Sequence, residues 1–296
     1  IAASANPRWR ILGLAEIKMR AGVKTWPAHP IGTIAVKGRT MQTAANGTTY
    51  DVIGMPGAPW VLLIHGLGLN QGCWQWTTPA LSDGYRILTY DLFGHGASAD
   101  PPDTPNLRLF SLQLQGVMTE LGISDASIIG FSLGGMIARR FAQDAPHRTC
   151  ALGILHSPHK RTAQAQAAIL ARVEQARDLG PQATVEAALE RWFTDDFRAA
   201  NPDTMDTVRS WVMANRRGIY HHIYRVLAEG VDDIVAPDPP ITCPTLVITG
   251  DEDHGNGPEM TRAIAAEISG AELHVLQGLR HMALCEAPQA INTPLR

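Results

Sequence analysis

Residues 130–135 read Gly-Phe-Ser-Leu-Gly-Gly and join an apolar run at 126–129 to an apolar-periodic helix that begins at Leu133. In a G-x-S-x-G elbow the serine occupies a sharp strand-to-helix turn. The glycines on either side let the backbone pass so closely that the hydroxyl projects into the open. Ser132 is therefore the candidate nucleophile. The same serine is also compatible with a helix N-cap after a glycine turn, and the motif by itself leaves both open.

The flanking chain supplies a sheet for the elbow. Residues 48–53 read as a strand ending at Gly54, and Pro56-Gly57-Ala58-Pro59 is a turn leading into the continuous apolar run 60–64, which suits a parallel strand buried on both faces. His65-Gly66-Leu67-Gly68-Leu69-Asn70 follows at the carboxyl end of that strand, where open α/β sheets place ligands. It reads as an oxyanion loop, with the amides of Leu67 and Leu133 aimed at a developing oxyanion and His65 and Gly66 beside the substrate; an ordinary glycine-rich turn is the alternative. The strand at 85–90 delivers Asp91 to Ser98 to the same edge, a loop read as structural, with Asp91 bonding amides and His95 as a packed turn histidine. A helix over 107–121 ends at Gly122, the elbow helix stops before Pro146, and a strand follows at 150–155. Strands alternating with helices from Val61 to Leu155 specify a parallel sheet with right-handed crossovers.

From Ser157-Pro158 to the prolines at 237–240 the strands stop and helical periodicity takes over, predicting an inserted helical lid over 158–237. Val185, Leu189 and Trp192 share one face, as do Met205, Val208 and Val212, with Asn201 and Pro202 as N-cap and N1. The last lid helix buries Ile219 and Ile223. It leaves Arg217, His221 and Arg225, with Arg216 and His222 nearby, either to attract a substrate carboxylate or to form a solvated face. Adjacent His221 and His222 point in different directions on a helix, a poor arrangement for metal ligands. Trp74, Trp76, Trp192 and Trp211 either line an aromatic entrance or pack the core.

The sheet resumes at 244–250 and opens into Asp251-Glu252-Asp253-His254; the last strand, 272–276, opens into Gly278-Leu279-Arg280-His281. An acid on the first of these loops is what a histidine elsewhere needs to hold its tautomer, and His281 stands at the carboxyl edge as a general base. The chain order Ser132, an Asp near 251–253, then His281 is a serine hydrolase order distinct from those of trypsin and subtilisin.

Composition sets the bounds. The 296 residues are 45% apolar and 18% charged, ordinary for a globular protein, and a formal charge of −3 gives no reason to expect nucleic acid or an anionic membrane as partner. No apolar run approaches the length that crosses a bilayer. Cys73, Cys150, Cys243 and Cys285 form no C-x-x-C, so free thiols in a reducing, cytoplasmic compartment are expected rather than a zinc site or redox pair. The first forty residues carry seven Lys or Arg against Glu16 alone and read as a non-domain leader, either upstream sequence or a basic arm or transit segment. Pro288 is expected to open a closing helix, with more of that helix expected past Arg296. Nothing in the sequence marks an oligomeric state.

With these motifs in order, the chain resembles the α/β-hydrolase superfamily from about Thr48 to the C-terminus, within it the lid-bearing esterases and 3-oxoadipate enol-lactonase-like hydrolases. The resemblance implies an α/β fold, a mostly parallel sheet flanked by helices. It divides the chain into a core of 41–157 and 238–296 and the helical lid. It carries the acid onto Asp253, with Asp251 as the alternative, and so implies a Ser132–His281–Asp253 triad that cleaves small carboxylic esters or lactones through an acyl-enzyme, without metal or cofactor. Carbon–carbon bond hydrolysis, peroxyacid formation and a non-turnover receptor use the same fold and stay open.

Overall fold

The computed structural model describes residues 41–296, so the expected leader over 1–40 lies outside the described residues. Eight strands form one sheet in the order β1-β2-β4-β3-β5-β6-β7-β8. They are β1 (Gln42–Thr43), β2 (Thr49–Gly54), β3 (Trp60–Ile64), β4 (Arg86–Tyr90), β5 (Ala126–Phe131), β6 (Thr149–Leu155), β7 (Thr245–Gly250) and β8 (Glu272–Leu276). Pairing is antiparallel from β1 to β2 and from β2 to β4, and parallel across the rest of the sheet.

The apolar run in β3 has the physical reason anticipated. Leu62 and Ile64 pack into one core cluster with Leu114 and Phe141, whereas Val61 and Leu63 face the other side with Trp74 and Ile291. A strand buried on both faces has no place for alternating polar residues. The chain leaves β3 for β4 on one side and returns to β5 on the other, so the loops after β3 and β5 diverge and open a crevice between them. Those two loops are the glycine-rich stretch at 65–70 and the elbow, and such a switch point is where open α/β sheets bind ligands.

Helices cover the faces: α1 (Thr78–Leu81), α2 (Leu107–Glu120) and α3 (Leu133–Asp144) precede β6. Asn106 caps α2 by accepting from the Leu109 N–H at 2.8 Å, and Gly122 takes φ of +65° just past its end. Between β6 and β7 run α4 (Ala163–Leu179), α5 (Val185–Trp192), α6 (Asp195–Ala200), α7 (Pro202–Met213) and α8 (Arg217–Glu229). After β7 come α9 (Pro258–Ala266), α10 (Ala283–Glu286) and α11 (Pro288–Leu295). One carboxylate fastens both roots of the helical segment to the core. Glu267 pairs with His159 at 2.9 Å, accepts from the Ala236 N–H at 2.9 Å, and binds buried Arg139 of α3 at 2.8 Å. No helix among the described residues is long and apolar enough to cross a membrane. All four cysteines are free thiols.

Candidate active site

The elbow is held in a conformation that few residues adopt. Ser132 sits at φ 57°, ψ −116°, and its side chain makes no capping hydrogen bond, which removes the N-cap alternative. Such strain persists only where the surroundings over-determine it. Here a Cβ on Gly130 would stand 2.0 Å from the Gly134 carbonyl oxygen, and one on Gly134 would stand 2.1 Å from the Ile64 carbonyl oxygen, so strand and helix meet only through glycine. Ser157 Oγ donates to the Ser132 carbonyl at 3.0 Å and braces the turn from β6.

Two buried histidines build the loop beside it. His95 Nε2 accepts from the Gly68 N–H at 3.0 Å, and His65 Nε2 accepts from the Leu92 N–H at 2.9 Å. Each ring therefore keeps its proton on Nδ1, directed at the Phe93 and Gly66 carbonyls respectively. Burial lowers the pKa of His65 to about 4 and that of His95 to about 3. They are neutral framework at pH 7, which places His95 as anticipated and removes His65 from the substrate side. Asp91 binds the Gln71 and Ala97 amides at 2.8 and 3.0 Å. Leu67 lines the cavity below this loop. Leu133 opens α3, so its N–H has no acceptor within the helix.

Asp253 is the most heavily bonded side chain of the site. Its Oδ1 accepts from the amides of Gly255 (3.1 Å) and Asn256 (3.0 Å), and its Oδ2 accepts from His281 Nδ1 (2.7 Å) and His156 Nδ1 (3.0 Å). Burial pushes the carboxyl up, but the charge of His281 and the hydrogen bonds from both imidazoles outweigh it and hold Asp253 well below the usual carboxylate range. Asp251 instead turns outward, where it accepts from the Gly278 N–H at 2.7 Å.

His156 is the residue that sequence reasoning missed. It is fully buried, lies at φ 49° directly after β6, and its pKa is lowered by burial despite the hydrogen bond to Asp253. Its Nε2 has no partner among the described residues. The signal was available: the loops at the carboxyl ends of the buried parallel strands supply the site, and β6 ends at Leu155. His156, Asp253 and His281 are also the one cluster among the described residues whose ligand atoms lie within 4.8 Å of one another.

Ser132, His281 and Asp253 open onto one cavity with Gly66, Leu67 and Trp192; with its mouth it encloses about 790 Å³. The Trp192 ring stands 6.1 Å from the His281 ring, and its backbone carbonyl accepts from the Met282 N–H at 2.8 Å, so Trp192 borders the imidazole. Other expected pocket residues fall elsewhere. Trp74 is wholly buried in the core, and Trp211 packs edge-on against Trp76 at 6.3 Å. His221 faces away from the cavity with its ring 3.9 Å from that of His222, so these neighbours do meet despite their helical spacing. The cations beside them are occupied: Arg225 by Glu174 and Glu229, Arg216 by Asp100, and Arg217 by the Asp178 carbonyl.

The alpha/beta hydrolase fold family matches residues 59–288. The chain belongs to that family. It is 27% identical over 260 residues to (E)-2-((N-methylformamido)methylene)succinate hydrolase of Acinetobacter baylyi, covering 87% of this chain and 96% of the relative. To 3-oxoadipate enol-lactonase 2 of the same organism it is 27% identical over 243 residues, covering 82% and 89%. The crystal structure of the enol-lactonase from Burkholderia xenovorans LB400 superimposes with a TM-score of 0.78 at 27% identity, covering 84% of this chain and 96% of that one. These relatives are hydrolases, and this chain is an α/β hydrolase like them.

Proposed function

We propose that this α/β hydrolase cleaves carboxylic esters or lactones through an acyl-enzyme on Ser132. The observation that carries the reading is the 2.7 Å bond from His281 Nδ1 to a carboxylate whose other oxygen is locked by two amides, in a cavity shared with the strained Ser132. His281 Nε2 then presents a lone pair. It takes the Ser132 proton as Oγ bonds to the substrate carbonyl carbon, and gives that proton to the leaving oxygen as the C–O bond breaks. The negative charge that passes through the carbonyl oxygen is met by the N–H groups of Leu67 and Leu133, a donor set of which each member is typically worth about 3 kcal/mol of barrier. Water, deprotonated by His281, releases the acid and restores Ser132. Asp253 keeps the proton on His281 Nδ1 and stabilises the imidazolium, and His156 supports Asp253 from its far side.

Residues 158–237 act as the lid over this chemistry, for the turn from α7 into α8 packs on the loops that carry it: Asn215 in that turn donates to the Gly68 carbonyl at 2.9 Å. The similarity to an enol-lactonase and to a succinate-derivative hydrolase supports acyl cleavage without choosing the substrate. The test is covalent: an alkyl fluorophosphonate should add one adduct to the intact mass, at Ser132, and none to Ser132→Ala. Labelling elsewhere, or none in the wild type, refutes the nucleophile.

A further inference from the structure

The walls that the helical segment gives the cavity follow helical periodicity. Thr184, Ala188 and Arg191 lie at i, i+4 and i+7 where α5 faces it, Tyr220, Tyr224 and Leu227 do the same from α8, and Ile169 and Arg172 do so from α4. Three arginines thus reach the cavity, Arg161 from the root of the segment, Arg172 and Arg191. All three are half-buried, and none makes an ion pair with a carboxylate among the described residues. By contrast Arg177, Arg198, Arg209 and Arg225 on the outside of the same segment all do.

Arg161 and Arg172 do have hydrogen-bond partners, but neutral ones. Arg161 donates to the Ala228 and Leu227 carbonyls at 3.3 and 3.2 Å, and Arg172 Nε donates to the Tyr224 hydroxyl at 3.2 Å. Those bonds fix the guanidinium planes and leave the N–H groups of both Arg172 terminal nitrogens uncommitted among the described residues. Burial lowers the pKa of Arg161 to about 10 and also lowers that of Arg191, and the like charge of Arg172 pushes both the same way. The acid nearest Arg191 in sequence, Glu190, is exposed and makes no ion pair with it. Half-buried like charges that repel one another cost free energy unless an anion joins them.

The cavity lining contains three guanidiniums and one carboxylate, Asp253, which is already committed to two imidazoles; three minus one leaves two positive charges. We infer that the helical segment carries a carboxylate-binding subsite, formed by Arg161, Arg172 and Arg191 with Tyr224, and that the substrate is a small acyl compound that carries two free carboxylates. Planar carboxylates match the paired N–H groups of guanidinium, and each charge-assisted pair is strong. This rests on the reading of Ser132 as nucleophile, and it names the class of acyl compound that reaches it.

Binding and turnover separate the two. Adipate, its dimethyl ester, butyrate and inorganic phosphate are titrated calorimetrically into Ser132→Ala, and adipate is then titrated into Arg172→Gln, Arg191→Gln and, as an outer-face control, Arg225→Gln. Adipate is expected to bind at least tenfold tighter than butyrate, the diester not to compete, and salt to weaken the binding. Each cavity variant should lose about ten- to hundredfold in affinity, the range of one charged hydrogen bond. Arg225→Gln should match the wild type, and unfolding transitions of the unliganded variants show whether they are folded. Equal binding of butyrate, tighter binding of phosphate, or adipate affinity unchanged in both cavity variants overturns the inference. If adipate binds as expected while fluorophosphonate fails to label Ser132, the nucleophile reading fails and the anion subsite stands.

Discussion

Replacing Asp253 by asparagine separates the proposed relay from a merely polar cluster. The two backbone amides of Gly255 and Asn256 point at Oδ1, so an amide side chain must keep its oxygen there. Its NH2 group then occupies the Oδ2 position, 2.7 Å from His281 Nδ1 and 3.0 Å from His156 Nδ1. Both rings must turn from donors into acceptors at Nδ1, and His281 carries its proton on Nε2, where it has no lone pair for the Ser132 hydroxyl. Loss of the tautomer-fixing acid costs about four orders of magnitude in kcat, or about 5.5 kcal/mol of barrier. The assay is kcat on p-nitrophenyl acetate and on a lactone, with thermal unfolding to show the variant is folded. Asp251→Asn, which touches only the Gly278 amide, should keep most of its activity. Retention of a tenth or more of kcat in Asp253→Asn, or an equal collapse in Asp251→Asn, would refute the reasoning.

His156→Leu removes one of four hydrogen bonds to Asp253 and leaves the other three. A bond to a charged group is worth about 1.5–3 kcal/mol, so kcat should fall by about ten- to hundredfold with KM little changed, well short of the loss at Asp253; an unchanged kcat would make His156 structural only. Acid should unfold the protein through His65 and His95. Their folded pKa values, about 4 and about 3, lie below the ordinary value of 6.5, so the unfolded chain binds protons that the folded one refuses. Their neutral form therefore supports the fold above about pH 6.5, and each should cost about 2–3 kcal/mol of stability between pH 7 and pH 4.5. Urea unfolding at those two pH values checks this, and equal midpoints would contradict it.

The sheet, the elbow and the order of site residues were legible because each is local. A buried parallel strand is a continuous apolar run, its loop follows at once, and every chemical residue stands on such a loop. The acid was legible only to within two positions, since Asp251 and Asp253 share one loop and differ only in which way the turn points them. What lies on helices was not legible. Arg191 and Trp192 are adjacent and both reach the cavity, whereas His221 and Arg225 do not, because the rotation of α5 and α8 about their axes is set by tertiary packing. Trp74 and Trp211 were ambiguous for a different reason: an aromatic ring serves core and entrance equally well, and the 3-10 turn at Gln71–Trp76 buries Trp74.

The central claim, an acyl-enzyme on Ser132, is tested most directly by mixing p-nitrophenyl acetate with enzyme in a stopped-flow instrument, for wild type and Ser132→Ala. The account predicts a burst of p-nitrophenol equal to the enzyme concentration, followed by slower turnover, and no burst from the alanine variant. A burst that survives in Ser132→Ala, or neither burst nor turnover on any ester or lactone in the wild type, would contradict it.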